Sequence, residues 1–202
     1  MGKKLLFYLT GIAIACMGVT FLLKSNAGAG PQDVVLLELA EKTGLTFGTW
    51  VIISQAVFLL FNSFLLKKRP QFESVITMII WGVIVDFWMG IIFKDLSLLL
   101  HTPLLEWICF LSGALLIGIG VGIYLTANLP AMPYDGLMVG LCEKFRINLM
   151  MSRTILEGIF IIIGLLIGGK VGVGTIVLVL CIGTVIQFFN NLAIKLYHFS
   201  HT

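Results

Sequence analysis

Asn26-Ala27-Gly28-Ala29-Gly30-Pro31-Gln32-Asp33 returns, altered but in register, as Asn128-Leu129-Pro130-Ala131-Met132-Pro133-Tyr134-Asp135. Asn, Ala, Pro and Asp coincide without a gap. The same offset pairs Gly11 with Gly113 and Gly18 with Gly120 upstream. Downstream it pairs Leu39, Glu41 and Lys42 with Leu141, Glu143 and Lys144, and Lys68 with Lys170. After the loss of one residue, Gly82 pairs with Gly183. The chain is therefore two copies of a unit of about a hundred residues, near 1–96 and 104–197, within one domain over 1–202. In a membrane, such duplication points to a transporter-like architecture.

The composition places the chain in a membrane. Hydrophobic residues make up 59% and charged residues 11%, where a soluble domain carries about a quarter charged. A formal charge of +3, scattered and without aromatics interleaved among basic residues, excludes a nucleic-acid groove. Six stretches are long and apolar enough to cross about 30 Å of hydrocarbon: near 5–23, 49–66, 75–93, 107–126, 151–167 and 175–194. Three spans per repeat is an odd number, so the second copy starts from the opposite side. The expected fold is all-α, with six transmembrane helices as two inverted three-helix repeats.

Orientation follows from the positive-inside rule. Lys3, Lys4, Lys67, Lys68, Arg69, Lys144, Arg146 and Lys195 fall on one side, leaving Lys24, Lys42, Lys94 and Lys170 on the other. Both termini are then cytoplasmic in a bacterial plasma membrane. Ala13-Ile14-Ala15-Cys16 faintly resembles a lipoprotein cleavage site. Against a leader, 11–23 is the repeat mate of 113–125, which cannot be one. Cys16, Cys109, Cys142 and Cys181 are widely spaced in apolar surroundings and predict neither disulfides nor a metal site.

Each repeat also carries a segment too short to span, 33–43 and 135–145, about 16 Å of helix. Each opens Pro-x-Asp, with Asp33 and Asp135 read as N-caps. Glu38, Glu41 and Lys42 share one face. Two arrangements fit. The segments lie flat at the interface, or they dip into the protein so that their N-termini converge near the middle. Helix N-termini favour anions, but an aspartate offsets the dipole, so a zwitterion or a cation fits equally well.

An ionisable group within a span is expensive and marks a functional hypothesis. Asp86 lies in the third span, with Gln187 as its mate; Glu157 lies in the fifth, with Gln55 as its mate. Arg153 precedes Glu157 by one helical turn and can pair with it. These residues, with Asn26, Asn128, Asp33 and Asp135, form the expected substrate or ion site; the competing reading is a satisfied polar network that holds helices together. Gly118 and Gly122 form a small-xxx-small seam for close packing, and Gly11, Ala15 and Gly18 serve the first span likewise. Gly168, Gly169, Gly172 and Gly174 form a turn around Lys170, and no strand-bound Gly-Lys-Ser/Thr makes it a phosphate loop. His198 and His201 read as tail residues. No catalytic constellation, cofactor motif or metal cluster emerges, so neither enzyme activity nor a cofactor is expected.

Several of these elements resemble one family. Gly28-Ala29-Gly30-Pro31-Gln32-Asp33-Val34-Val35 and Leu39-Ala40-Glu41-Lys42-Thr43-Gly44-Leu45-Thr46-Phe47-Gly48-Thr49 look like the YczE/YyaS/YitT family of bacterial integral membrane proteins, closest to its YczE-like branch. So do Pro133-Tyr134-Asp135-Gly136-Leu137-Met138, Arg153-Thr154-x-x-Glu157 and the glycine run from Gly168 to Thr175. The resemblance covers nearly the whole chain. It departs where the family commonly has Trp, at Gln32, and where it often has Gly-Thr, at Phe72-Glu73. The resemblance implies a multi-span plasma-membrane protein and no particular activity. The expected function is a small-molecule transporter, rocking one half against the other around the polar site. The alternative is a non-transporting scaffold acting through lateral contacts such as the Gly118/Gly122 seam. Expected partners are the lipid bilayer and a small solute, with a homo-oligomer or membrane partner left open and nucleic acid excluded.

Overall fold

A computed structural model describes residues 2–67, 69–127, 129–147 and 149–199. The side chains of 2, 3, 139, 149, 150 and 196–199 are not among those described. Lys68, Asn128 and His201 lie outside the described residues, as do the side chains of Lys3 and His198.

All regular elements among the described residues are helical. They are α1 (Gly2–Lys24), α2 (Pro31–Thr43), α3 (Phe47–Leu66), α4 (Ser74–Phe87) with a π-helical turn at Trp88–Ile92, α5 (Leu96–Leu99), α6 (Pro103–Thr126), α7 (Pro133–Phe145), α8 (Leu149–Leu166) and α9 (Val173–Phe199). Among the described residues, five stretches of helix are long and apolar enough to cross a membrane: Lys4–Lys24, Phe47–Leu66, Ser74–Ile92, Pro103–Thr126 and Val173–Lys195. They match five of the six expected spans; α8, at 18 residues, is not among them.

The chain folds into two compact units, each drawing on both repeats. One comprises 1–30, 87–129 and 172–202; the other comprises 31–86 and 130–171.

In the first unit, α1 and α6 cross at backbone contact. A Cβ placed on Gly11 would lie 2.8 Å from Gly120 O and 2.6 Å from Tyr124 N, and one on Gly18 would lie 2.7 Å from Gly113 O. Residue numbers rise along one helix as they fall along the other, so these repeat mates run antiparallel. Gly118 faces Val185 and Phe189, and Gly122 faces Phe189 and Asn190, so α6 and α9 run parallel. The Gly118/Gly122 seam is thus filled by α9 rather than left for a lateral partner. Trp88 in the π-helical turn donates to Ala13 O at 3.1 Å. The glycine run packs rather than merely turns: Gly174 N donates to Ala27 O at 3.0 Å, and Gly28, at φ +151, sits against Thr175 N where a side chain has no room.

In the second unit, α7 lies alongside the second half of α3. The Tyr134 amide at its start donates to Gln55 Oε1, midway along α3, at 2.9 Å. Gly136 and Gly140 then face Asn62, and Lys144 Nζ reaches Leu65 O at the end of α3 at 3.2 Å. A helix lying flat at an interface would cross the end of α3; α7 instead runs beside it from the middle outwards. Contacts between α2 and α8 repeat the pattern. Lys42 Nζ donates to Ile167 O, and the offset that carries Lys42 to Lys144 carries Leu65 to Ile167. Both lysines therefore satisfy carbonyls at helix C-termini, where cations are favoured. Val34 against Gly164 mirrors Gly136 against Asn62, with large and small residues exchanged.

Both short helices begin two residues earlier than expected. Pro31 and Pro133 hold the first helical position, where a missing N–H costs nothing. Asp33 and Asp135 therefore sit inside the first turn rather than at the N-cap. Met132, the N-cap of α7, makes no side-chain cap bond, and Gln55 supplies one from α3 instead.

Candidate functional site

A buried polar cluster forms in the second unit around the start of α7. Gln55, from the middle of α3, is 3% exposed, and Glu157, from the middle of α8, is 6% exposed. They are repeat mates. Gln55 is held by the cap bond to Tyr134 N. Glu157 pairs with Arg153 one turn away, Oε1 to Nε at 3.6 Å. The Tyr134 side chain lies beside Glu157, and its hydroxyl is buried facing that carboxylate. Burial first, and the Glu157 carboxylate second, hold this phenol above its ordinary range, so it is a neutral hydrogen-bonding group. Asp33 and Asp135, from the first turns of α2 and α7, also act on its charge. The first turns of both short helices thus come within electrostatic reach of one hydroxyl.

Apolar side chains enclose the cluster. Tyr134, Leu137, Met138 and Leu156 form a core, with Phe58, Leu65, Leu141 and Phe160 packed on it. The rings of Phe58, Tyr134 and Phe160 touch pairwise, at centroid separations of 5.6, 5.8 and 6.1 Å. Phe58 and Phe160 are themselves repeat mates, each three residues after its buried polar residue, Gln55 or Glu157. Ser152 Oγ ties α8 to α7 by donating to Met138 O at 2.8 Å.

Of the expected site residues, Gln55, Arg153 and Glu157 come together here; Asp33 and Asp135 sit in the first turns of α2 and α7. Asp86 does not join the cluster. Its carboxylate accepts from Gly48 N at 2.7 Å and from the Thr46 hydroxyl at 2.6 Å, fastening the end of α4 to the first turn of α3. Gln55 lies two turns further along α3, about 10 Å away along the axis. An anionic side chain at a helix N-terminus is a structural fixture. Asn26 is exposed in a left-handed conformation (φ 56) just beyond α1, where it ends the helix. Gln187 is exposed on α9, so it is not part of a buried layer with its mate Asp86. Asn128 is outside the described residues. Tyr134, Phe58 and Phe160 were not anticipated as site residues, although the repeat marks the two phenylalanines. The carboxylates do not gather tightly enough to share a metal ion: the described residues contain no group of three or more His, Cys, Asp or Glu fit to hold one.

Asp86→Asn is expected to destabilise the protein by about 1.5–3 kcal/mol through loss of charge-assisted bonds. It should leave ligand-dependent stabilisation intact. Thermal melts with and without ligand check both halves; loss of the ligand response would return Asp86 to the site.

A family model described as "Family of unknown function (DUF6198)" matches residues 2–191. The chain belongs to this family. It is 32% identical to the uncharacterised protein YyaS of Bacillus subtilis over 180 residues, 89% of this chain and 88% of the relative. It is also 32% identical to the uncharacterised membrane protein YczE of the same organism over 195 residues, 96% of this chain and 88% of the relative. An uncharacterised protein of Haemophilus influenzae is 34% identical over 199 residues, 97% of this chain and 87% of the relative. No solved structure matches. The YyaS and YczE matches agree with the resemblance drawn from the motifs, and the chain is a membrane protein of an uncharacterised family.

Proposed function

We propose that the protein is a small-solute transporter of the bacterial plasma membrane, working by alternating access around the cluster of Gln55, Tyr134, Arg153 and Glu157. The observation that carries this reading is the meeting of repeat mates in the cluster. Phe58 touches Phe160, and residues that touch their own mates lie near the axis relating the two copies. Transporters built from inverted repeats place their sites at that interface, with broken helices ending there. α7 is such a helix, starting at mid-height of α3.

Several contacts support six spans in two inverted repeats. α1 and α6, mates by sequence, run antiparallel. α6 and α9 run parallel, so the chain between them has to return across the thickness they span, and α8 is the helix available to do so. At about 27 Å it is long enough for a thin or locally adapted bilayer. The lysines favour cytoplasmic termini. Lys24 Nζ donates to Lys94 O at 3.0 Å, and Lys144 reaches α3 just before Lys67; each contact joins groups that the charge rule puts on one side. The scaffold alternative loses its lateral surface, because α9 already occupies the Gly118/Gly122 seam.

The test is thermal stability of the detergent-purified protein against a panel of metabolites and ions, beside Asp135→Asn and Glu157→Gln. A ligand at a hundredfold excess over Kd stabilises by about 2.7 kcal/mol. A stabilising solute whose effect disappears in either variant, and which crosses proteoliposome membranes, supports transport. If nothing stabilises, and both variants melt like the parent, the central site is lost.

A further inference from the structure

We infer that the protein is a homodimer in the membrane, two copies meeting along a seam on α9 that runs through Thr184, Gln187 and Asn191. Dimerisation is independent of what the polar cluster of the second unit does.

The surface that a span turns to lipid has to be apolar, because hydrocarbon offers nothing to hydrogen-bond. Every exposed position in Phe47–Leu66, Ser74–Ile92 and Pro103–Thr126 is apolar, proline or glycine. In Lys4–Lys24 the exposed Thr10 folds its hydroxyl back onto Leu6 O at 2.7 Å. α9 breaks the rule. Thr184, Gln187 and Asn191 are exposed, and none of the three side chains hydrogen-bonds within the described residues. Thr184 is the middle residue of the span Val173–Lys195. Gln187 lies about 5 Å and Asn191 about 10 Å from it along the axis, both inside a half-thickness of about 15 Å. Two carboxamides left bare at that depth are costly.

The spacing shows what kind of surface would cover them. Val177, Leu180, Thr184, Gln187, Asn191 and Ile194 follow one another at alternating intervals of three and four. All are exposed except the half-buried Val177. They form one straight face. On the opposite side Leu178, Ile182 and Ala193 are buried, and Val185 and Phe189 meet Gly118 of α6. Alternation of three and four is the spacing by which one helix packs along another in a left-handed coil. α9 therefore has two seams, one filled by α6 and one open.

The chemistry of the open seam selects a second copy of this chain. Copies of a membrane protein insert in the same direction. A two-fold axis along the membrane normal then sets α9 parallel to its counterpart, and each seam residue meets its own equivalent. Gln187 faces glutamine and Asn191 faces asparagine. A carboxamide both donates and accepts, so each pair completes itself, as interhelical amides do in membranes. Leu180 and Ile194 meet apolar equivalents. A slip in register would set the amides against those apolar residues, so the polar pairs also fix the register. The three polar groups are uncharged, and no counter-charge from a different partner is called for.

The test has two arms, both on the full-length protein. Sedimentation equilibrium in density-matched detergent gives the dimer dissociation constant. Gln187→Leu combined with Asn191→Leu is expected to weaken it at least about tenfold, while Leu111→Ala, on the exposed face of α6, leaves it unchanged. Leucine is at home in lipid, so the double variant folds whether or not it dimerises, and a single monodisperse species checks this. In membranes, Cys142→Ala and Cys181→Ala remove the native thiols that are not buried. Oxidation with copper phenanthroline should then join two copies through Thr184→Cys and not through Leu111→Cys. A protein that is monomeric in both settings, as it would be if the stripe lined a solute path or met a different protein, overturns the inference. So does a dimer as tight in the double variant as in the parent, or one that cross-links equally at the two positions.

Discussion

Gly120→Leu is expected to leave no stably folded protein, and Gly120→Ala to be destabilised by at least about 3 kcal/mol. A Cβ on Gly120 would lie 2.3 Å from Ala15 N, 2.6 Å from Gly11 O and 2.7 Å from Ala15 Cα. These obstacles belong to the backbone of a neighbouring helix, so no rotamer change relieves them. α1 and α6 would have to move apart, breaking the contact along which mates Gly11 and Gly18 meet Gly120 and Gly113. Overpacking a buried site by a methylene or so costs about 1–3 kcal/mol where side chains can adjust, and here they cannot. Gly18→Ala, its repeat mate, should fail similarly, since its Cβ would meet Gly113 O and Ile117 N at 2.7 Å. Gly183→Ala provides the opposite sign. Nothing lies within 4 Å of its Cβ position, so the helix-propensity gain of about 1 kcal/mol is kept. Melts of the three variants in one detergent check the order. A Gly120→Ala protein as stable as the parent would refute the backbone contact between α1 and α6.

That contact was legible in the sequence as a repeat of glycines, though not as a pairing. Gly11 and Gly18 aligned with Gly113 and Gly120 because both copies meet the same requirement. The alignment could not say that Gly11 faces Gly120 rather than Gly113, since helix direction appears only when the copies are assembled. The short helices were legible from Pro-x-Asp, but their first two residues were not, because proline both starts a helix and interrupts one. Asp86 shows the limit of the rule that a charge inside a span is functional. Its apolar flanks, Val85 and Phe87, conceal that α3 begins beside it and presents the Gly48 amide, which Asp86 satisfies. Gln55 and Glu157 were found because mates were polar in both copies. Tyr134 was missed because its mate is Gln32, so the repeat gave no signal. Its importance lies in what surrounds the hydroxyl, which spacing along the chain does not encode. Phe58 and Phe160 could have been found. Both copies place phenylalanine three residues after the buried polar residue, but one more aromatic among apolar neighbours carries no mark until the rings are seen to touch.

Arg153→Met is expected to destabilise the protein by about 3 kcal/mol, and Glu157→Gln by about 1 kcal/mol, with the double variant close to Glu157→Gln alone. The asymmetry follows from the surroundings of the two partners. The Glu157 side chain is 8% exposed and that of Arg153 is 24% exposed. Without Arg153, a buried carboxylate stays beside Tyr134 with no counter-charge. Without the Glu157 charge, the guanidinium can turn along its flexible stem toward better-solvated surroundings, and glutamine still offers an oxygen to Tyr134. Neutralising both removes the buried charge and its partner together, which is commonly tolerated where breaking the pair is not. Chemical or thermal melts of the four proteins give the coupling directly. An interaction of about 3 kcal/mol, favouring the double variant over the sum of the singles, is expected. Simple additivity would mean that the 3.6 Å approach of Nε to Oε1 carries no energetic link. The same four proteins separate stability from function. If the double variant folds as well as Glu157→Gln but neither responds to ligand, the pair is retained for what it binds, and its cost to stability is the consequence of keeping a carboxylate in an apolar wall.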